Sequence, residues 1–216
     1  MTTQKTFWLD PYATQLTARV VAVSGPHVQV DQTIFFAFSG GQESDHGTIQ
    51  GWPVISAEKQ EHDIIYTLPD DHDLKVDQSV LMEIDWSRRY RLMRLHFAAE
   101  LVLELFYTAL NGVDKVGAHI ATHKARIDFV WPESIAPLLP EITDKANQII
   151  AADLPIQTGF DDEENERRYW EIAGFSRVPC GGTHVRSTGE IGPIRLKREK
   201  KAKGKERVEI YLEDSE

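Results

Sequence analysis

From Leu16 to Ile84 the chain alternates apolar and polar positions in short runs, and each run is closed by a turn signal. Six strands are predicted: 16–23, 27–30, 33–38, 48–55, 63–68 and 79–84. Ser24-Gly25-Pro26, Gly40-Gly41, Gly51-Trp52-Pro53 and Pro69-Asp70-Asp71 separate them. Short strands spaced by such turns predict a small β-barrel as the natural closure.

The period changes near Asp85. Between Arg88 and Phe106 there is no Pro or Gly, and Leu92, Leu95, Ala99, Leu103, Phe106 and Leu110 recur at helical spacing. His96 and Glu100 fall inside that apolar stripe, one turn apart, so both side chains are expected to point inward. A carboxylate in such a place is costly unless paired, protonated or coordinating a cation. Glu104 has drifted off the stripe and is expected at the solvated surface.

The rest of the chain is mixed. Residues 115–131 read as strand, turn and strand, 134–152 as a helix, 156–160 as a strand, and Asp161 to Glu166 as an acidic connector. His119 and His123 share the i, i+4 spacing, but on a hairpin their imidazoles need not converge. One alternative is that His119 completes a site with His96. An α+β fold follows, with a β-barrel domain over residues 1–85 and an α+β domain over 86–216.

The strongest chemical signal is Pro179-Cys180-Gly181-Gly182-Thr183-His184. It sets a sulfur and an imidazole four residues apart around a glycine pair suited to a tight turn. Cys180 is the single cysteine of the chain, so it has no intramolecular disulfide partner. A soft ligand beside a histidine favours zinc. The bland alternative is a buried structural cysteine beside an unrelated histidine.

Composition narrows the setting. With 216 residues and 41% hydrophobic content, the chain can bury one good core or two modest ones. One cysteine argues against a secreted disulfide scaffold, and no run of signal-peptide or membrane-spanning length occurs, so a cytoplasmic protein is expected. A net charge of −10 argues against a nucleic-acid partner until its distribution is considered. Arg195, Lys197, Arg198, Lys200, Lys201, Lys203, Lys205 and Arg207 crowd one predicted hairpin, with Lys203-Gly204-Lys205 at its turn. Screening confines charge interactions to about 8–10 Å at ordinary salt, so a local cluster can bind phosphates on an acidic protein. Lysines that discourage edge pairing are the plain alternative. Arg88, Arg89, Arg91 and Arg94 make a second basic group at the start of the long helix.

Arg94-Leu95-His96 with Glu100, followed by Pro179-Cys180-Gly181-Gly182-Thr183-His184, resembles the metal-binding signature of the alanyl-tRNA editing domain and its freestanding AlaX-type relatives. Ser39-Gly40-Gly41-Gln42 with Asp45 and Gly47 is similar to the family's glycine-rich motif. Residues 124–129 look like its central strand, and 168–192 like its C-terminal block. The resemblance runs from about Phe35 to the end of the chain. It implies an α+β editing domain with a metal site between a helix and the Cys-Gly-Gly-Thr-His turn, and zinc held by His96, Glu100, Cys180 and His184. It further implies catalytic roles for Gln42, Cys180 and Glu100, and a tRNA(Ala) partner met by Arg88, Arg89, Arg94, Lys197, Lys200, Lys201, Lys203 and Lys205.

The implied activity is hydrolysis of the ester of mischarged Ser-tRNA(Ala), with Gly-tRNA(Ala) as a further candidate substrate. The family's helix carries His-x-x-x-His, and Glu100 replaces the second histidine here. Carboxylate is an acceptable zinc ligand. Either all four side chains bind and close the centre, or three bind and Glu100 or Cys180 orients the attacking water. A noncatalytic tRNA-binding module and a metal-dependent hydrolase of small esters are the two alternatives from other classes.

Overall fold

The computed structural model describes residues 2–202 and 204–213, which form two compact units, Met1–Tyr90 and Arg91–Glu216. The first unit is built from strands β1 (Gln4–Lys5), β2 (Gln15–Ser24), β3 (His27–Val30), β4 (Gln32–Thr33), β5 (Gly47–Ile49), β6 (Trp52–Pro53), β7 (Ser56–Gln60), β8 (Asp63–Thr67) and β9 (Ser79–Ile84). Among the described residues, seven of these make one sheet in the order β6-β5-β9-β2-β3-β8-β7, and β1 pairs with β4 in parallel. Alternation along β8 and β9 turns Ile64, Tyr66, Val80 and Met82 inward, where they meet Val20, Val28, Ile34 and Phe35 in one apolar core.

Three local differences from the expected strands have physical causes. The apolar run 33–38 is a strand only at Thr33; beyond it, Phe36 N–H donates to the Asp45 carboxylate at 2.6 Å instead of to a neighbouring strand. The run 48–55 is broken into β5 and β6 by Gln50 and Gly51, both at positive φ (52° and 80°). The polar run Ser56–Gln60 carries no clear alternation, yet pairs along β8 as an edge strand.

Helix α1 (Trp86–Ala109) crosses the division between the units, and Asp85 caps it by accepting the Arg88 N–H at 3.1 Å. Its apolar residues are not confined to a stripe. Met93, Phe97, Ala98, Leu101 and Val102 are as buried as Leu92, Leu95 and Phe106, and Arg94, Glu100 and Glu104 between them are half-buried.

The second unit continues with β10 (Asp114–Ala121), β11 (Lys124–Val130), α2 (Leu139–Ala151), β12 (Gln157–Asp162), β13 (Arg167–Ile172), β14 (Ser176–Pro179), β15 (Ile194–Lys200) and β16 (Lys205–Leu212). One sheet has the order β10-β11-β16-β15, and a smaller one β12-β13-β14. Ile142, Ala146 and Ile150 form the buried face of α2, and Asn147 both donates to the Ile194 carbonyl and accepts its N–H, each at 2.9 Å. The molecule is therefore α+β, with most of its regular elements strands. No helix among the described residues is long and apolar enough to cross a membrane.

Candidate metal centre

His96 and Glu100 lie one turn apart on α1, and Cys180 and His184 lie on the loop that follows β14. The loop is set by strand register. Tyr169 pairs with Pro179, and the Cys180 N–H extends that ladder by donating to the Arg168 carbonyl at 2.9 Å. Neither Gly181 nor Gly182 takes a positive φ, so the glycine pair is not needed for a left-handed turn here.

The reactive atoms converge. His184 Nε2 is 3.3 Å from Cys180 Sγ, His96 Nε2 is 3.5 Å from it, and all three ligand atoms lie within 4.8 Å of one another. Glu100 joins from one side, its Oε1 lying 3.3 Å from His96 Nε2 and 3.7 Å from the sulfur. A tetrahedral centre with about 2.0–2.1 Å to nitrogen and 2.3 Å to sulfur would hold its ligand atoms about 3.3–3.6 Å apart. The spacing and the donor set both fit zinc. His96 and His184 also keep buried Nδ1 atoms with no protein partner, so their hydrogen bonding is directed through Nε2.

Electrostatics give the same picture. Burial would lower the pKa of His96, yet Cys180 and the Glu100 carboxylate outweigh it and hold the imidazole up at about 10. Burial would raise Glu100, but the hydrogen bond and charge of His96 bring it down to about 2. His184 is pushed well below the usual histidine range, first by burial and then by the charge on His96. The acidic neighbours of His96 thus favour a positive charge at its imidazole, and a bound cation would meet the same neighbours.

Sequence reasoning left several neighbours unassigned. Arg168 and Trp170 lie on the buried face of β13, and period-two alternation of Arg168, Trp170 and Ile172 is the signal for them. The buried Arg168 guanidinium sits 5.1 Å over the Phe160 ring. A cavity of about 460 Å³ is lined by Asp161, Glu166, Arg167, Arg168, Cys180 and Gly181. A larger recess of about 760 Å³ beside α2 is lined by Asn147, Asp153 and Glu190 among others, but by no histidine or cysteine, whereas the smaller cavity includes Cys180. Glu104 is half-buried and accepts the Ser176 hydroxyl at 2.6 Å, which corrects its expected place at the surface. His119 lies on β10 opposite Arg126 and His123 at the adjoining turn; neither joins the His96, Cys180 and His184 cluster.

The basic groups divide unevenly. Arg89 is fully buried and forms a two-pronged pair with Asp45, while its other N–H groups donate to the Pro11 and Ile34 carbonyls. It cannot reach a nucleic acid, which corrects that expectation. Arg88 pairs with Glu43 at 2.8 Å and donates to the Ser44 carbonyl, and Arg94 donates to the Ile191 carbonyl at 2.9 Å. On the hairpin, Arg198 pairs with Glu206, Lys201 with Glu199, and Arg207 with Asp128 and Glu199. Lys197, Lys200 and Lys205 are exposed without an ion pair among the described residues, and Lys203 lies outside those residues. Gln42 is 1% exposed, on a tight tip where Ser39 and Gln42 exchange backbone hydrogen bonds and Gly40 and Gly41 take φ of 60° and 90°.

Residues 168–209 match the model of the threonyl and alanyl tRNA synthetase second additional domain. The alanyl-tRNA editing protein AlaX-M of Pyrococcus horikoshii is 33% identical over 98% of this chain and 98% of its own length. The protein of the same name from Saccharolobus solfataricus is 32% identical over 95% and 97%. An alanine–tRNA ligase of Methanococcus aeolicus is 28% identical over 96% of this chain, which matches 25% of that longer enzyme.

Proposed function

The chain belongs to the alanyl-tRNA editing protein family, and from that premise we propose that it is a trans-editing aminoacyl-tRNA deacylase acting in the cytoplasm on mischarged Ser-tRNA(Ala). The observation that carries this reading is the convergence of His96, Cys180 and His184 beside a cavity, in a chain matched along its length by proteins named for alanyl-tRNA editing. On this proposal residues 1–85 form a β-barrel-like domain and 86–216 the editing domain, close to the division between the compact units at Tyr90 and Arg91.

His96, Cys180 and His184 would hold zinc, and Glu100 turns one oxygen toward them. When bound, zinc supplies Lewis-acid chemistry for attack of water on the aminoacyl ester. Arg168 keeps a buried positive charge on the wall of the cavity beside Cys180, and a charge so placed would stabilise the oxyanion of ester hydrolysis. Gln42 offers both a donor and an acceptor and is assigned to reading the serine hydroxyl. An activation pocket rejects an added hydroxyl poorly, whereas a site built to bond that hydroxyl separates serine from alanine.

The test is hydrolysis of Ser-tRNA(Ala) against Ala-tRNA(Ala) by the unmodified protein, Cys180→Ala and Gln42→Ala. Serine-selective turnover that collapses in Cys180→Ala and loses selectivity in Gln42→Ala is expected. Turnover unchanged in Cys180→Ala would overturn the assignment of the centre, and selectivity unchanged in Gln42→Ala would remove Gln42 from it.

A further inference from the structure

The two carboxylate oxygens of Glu100 have different surroundings. Oε1 faces His96 and Cys180, at 3.3 Å and 3.7 Å. Oε2 accepts a hydrogen bond from the indole Nε1–H of Trp170 at 3.2 Å. Trp170 is fully buried, so its indole has no water to turn to and needs a protein acceptor. Its ring is held edge-on against Phe97 at 5.0 Å, and Phe97 in turn meets the His184 ring at 5.6 Å.

A carboxylate's last torsion is broad and nearly two-fold, so α1 alone does not decide which way the oxygens of Glu100 face. The indole does decide it, because rotation away would strand its buried N–H without an acceptor. A histidine at this position has no second oxygen to offer the indole, so Glu100 and Trp170 form a matched pair.

We propose that Trp170 is the positioning residue for Glu100: its N–H holds one oxygen so that the other stays turned toward His96 and Cys180, making the carboxylate a single-oxygen fourth contributor to the metal site. This inference rests on the metal-binding part of the proposed function, not on its substrate.

The experiment is a double-mutant cycle on the full chain, with Zn²⁺ affinity read by competition against a chromophoric chelator and folding checked by circular dichroism. Trp170→Phe should weaken Zn²⁺ binding by about 10-fold or more, the usual effect of removing a group that orients a metal ligand. In the Glu100→Ala background the same substitution should change affinity by less than about twofold. An equal loss in both backgrounds would show that Trp170 acts only through packing, and no loss in the first would also overturn the proposal.

A second readout leaves Trp170 in place. With ¹⁵N-labelled indoles, Glu100→Ala should shift one of the five tryptophan side-chain resonances and speed its hydrogen exchange. An unchanged set would contradict the hydrogen bond. Failure of the unmodified protein to bind Zn²⁺ overturns the inference together with the metal assignment. Intact coupling without deacylation overturns only the proposed activity.

Discussion

Arg88 and Arg89 are consecutive, yet one is paired near the surface and the other is sealed inside. Removing Arg89 leaves Asp45 as an uncompensated buried charge, so Arg89→Ala should cost about 3–5 kcal/mol in chemical denaturation. Arg88→Ala should cost less, about 1–2 kcal/mol, because Glu43 keeps 29% exposure and can turn to water. A run such as Arg-Arg-Tyr-Arg reads as a solvated basic patch because its local composition is all that the sequence displays. The partner that draws Arg89 inward is 44 residues earlier, and only the fold brings it there. Cys180 and His184 were legible for the opposite reason, since their spacing is local and their chemistry is rare. Trp170 was legible as a buried position but not as the partner of Glu100, which is 70 residues away.

At the scale of elements, the period of apolar positions located α1, β2, β8, β9 and the β15–β16 hairpin. It failed where polar or backbone partners replaced a ladder, as at 34–38, and where burial on all sides of α1 made the stripe uninformative. Glycine placement carried information of its own. A Cβ on Gly47 would lie 2.0 Å from the Glu83 carbonyl oxygen and 2.8 Å from Ile84 Cα, because β5 pairs closely with β9. Gly47→Ala should therefore destabilise the protein by about 1–3 kcal/mol, measured by thermal or urea unfolding.

The β15–β16 hairpin should carry a pH-dependent contribution. Glu206 titrates below its ordinary 4.5, first because Arg198 hydrogen-bonds it. Its stabilisation is then present above the unfolded value and lost as pH falls through the lowered folded value. Glu206→Gln should be less stable than the unmodified protein at pH 7, and the two stability curves should converge in acid. Curves that stay parallel down to pH 3 would contradict this role.

Over the whole molecule, a net charge of −10 coexists with a hairpin on which Lys197, Lys200 and Lys205 are exposed. The cluster read from sequence is smaller in practice, because Arg198, Lys201 and Arg207 are already neutralised by acids. Replacing the three lysines with alanine should weaken tRNA binding and flatten the dependence of log affinity on log salt by about 2–3. Hydrolysis of a short aminoacyl ester should be unaffected. An unchanged salt slope would move the tRNA contact elsewhere.

Selective deacylation driven by a zinc site containing His96, Cys180 and His184 is tested by the hydrolysis rate of Ser-tRNA(Ala) and Ala-tRNA(Ala) by the full chain as purified, after chelation, and after Zn²⁺ is returned. Loss of serine-selective turnover on chelation and its recovery with Zn²⁺ is the expected result. Equal turnover before and after complete metal removal, or no turnover of either substrate by protein shown to hold Zn²⁺, would contradict the account.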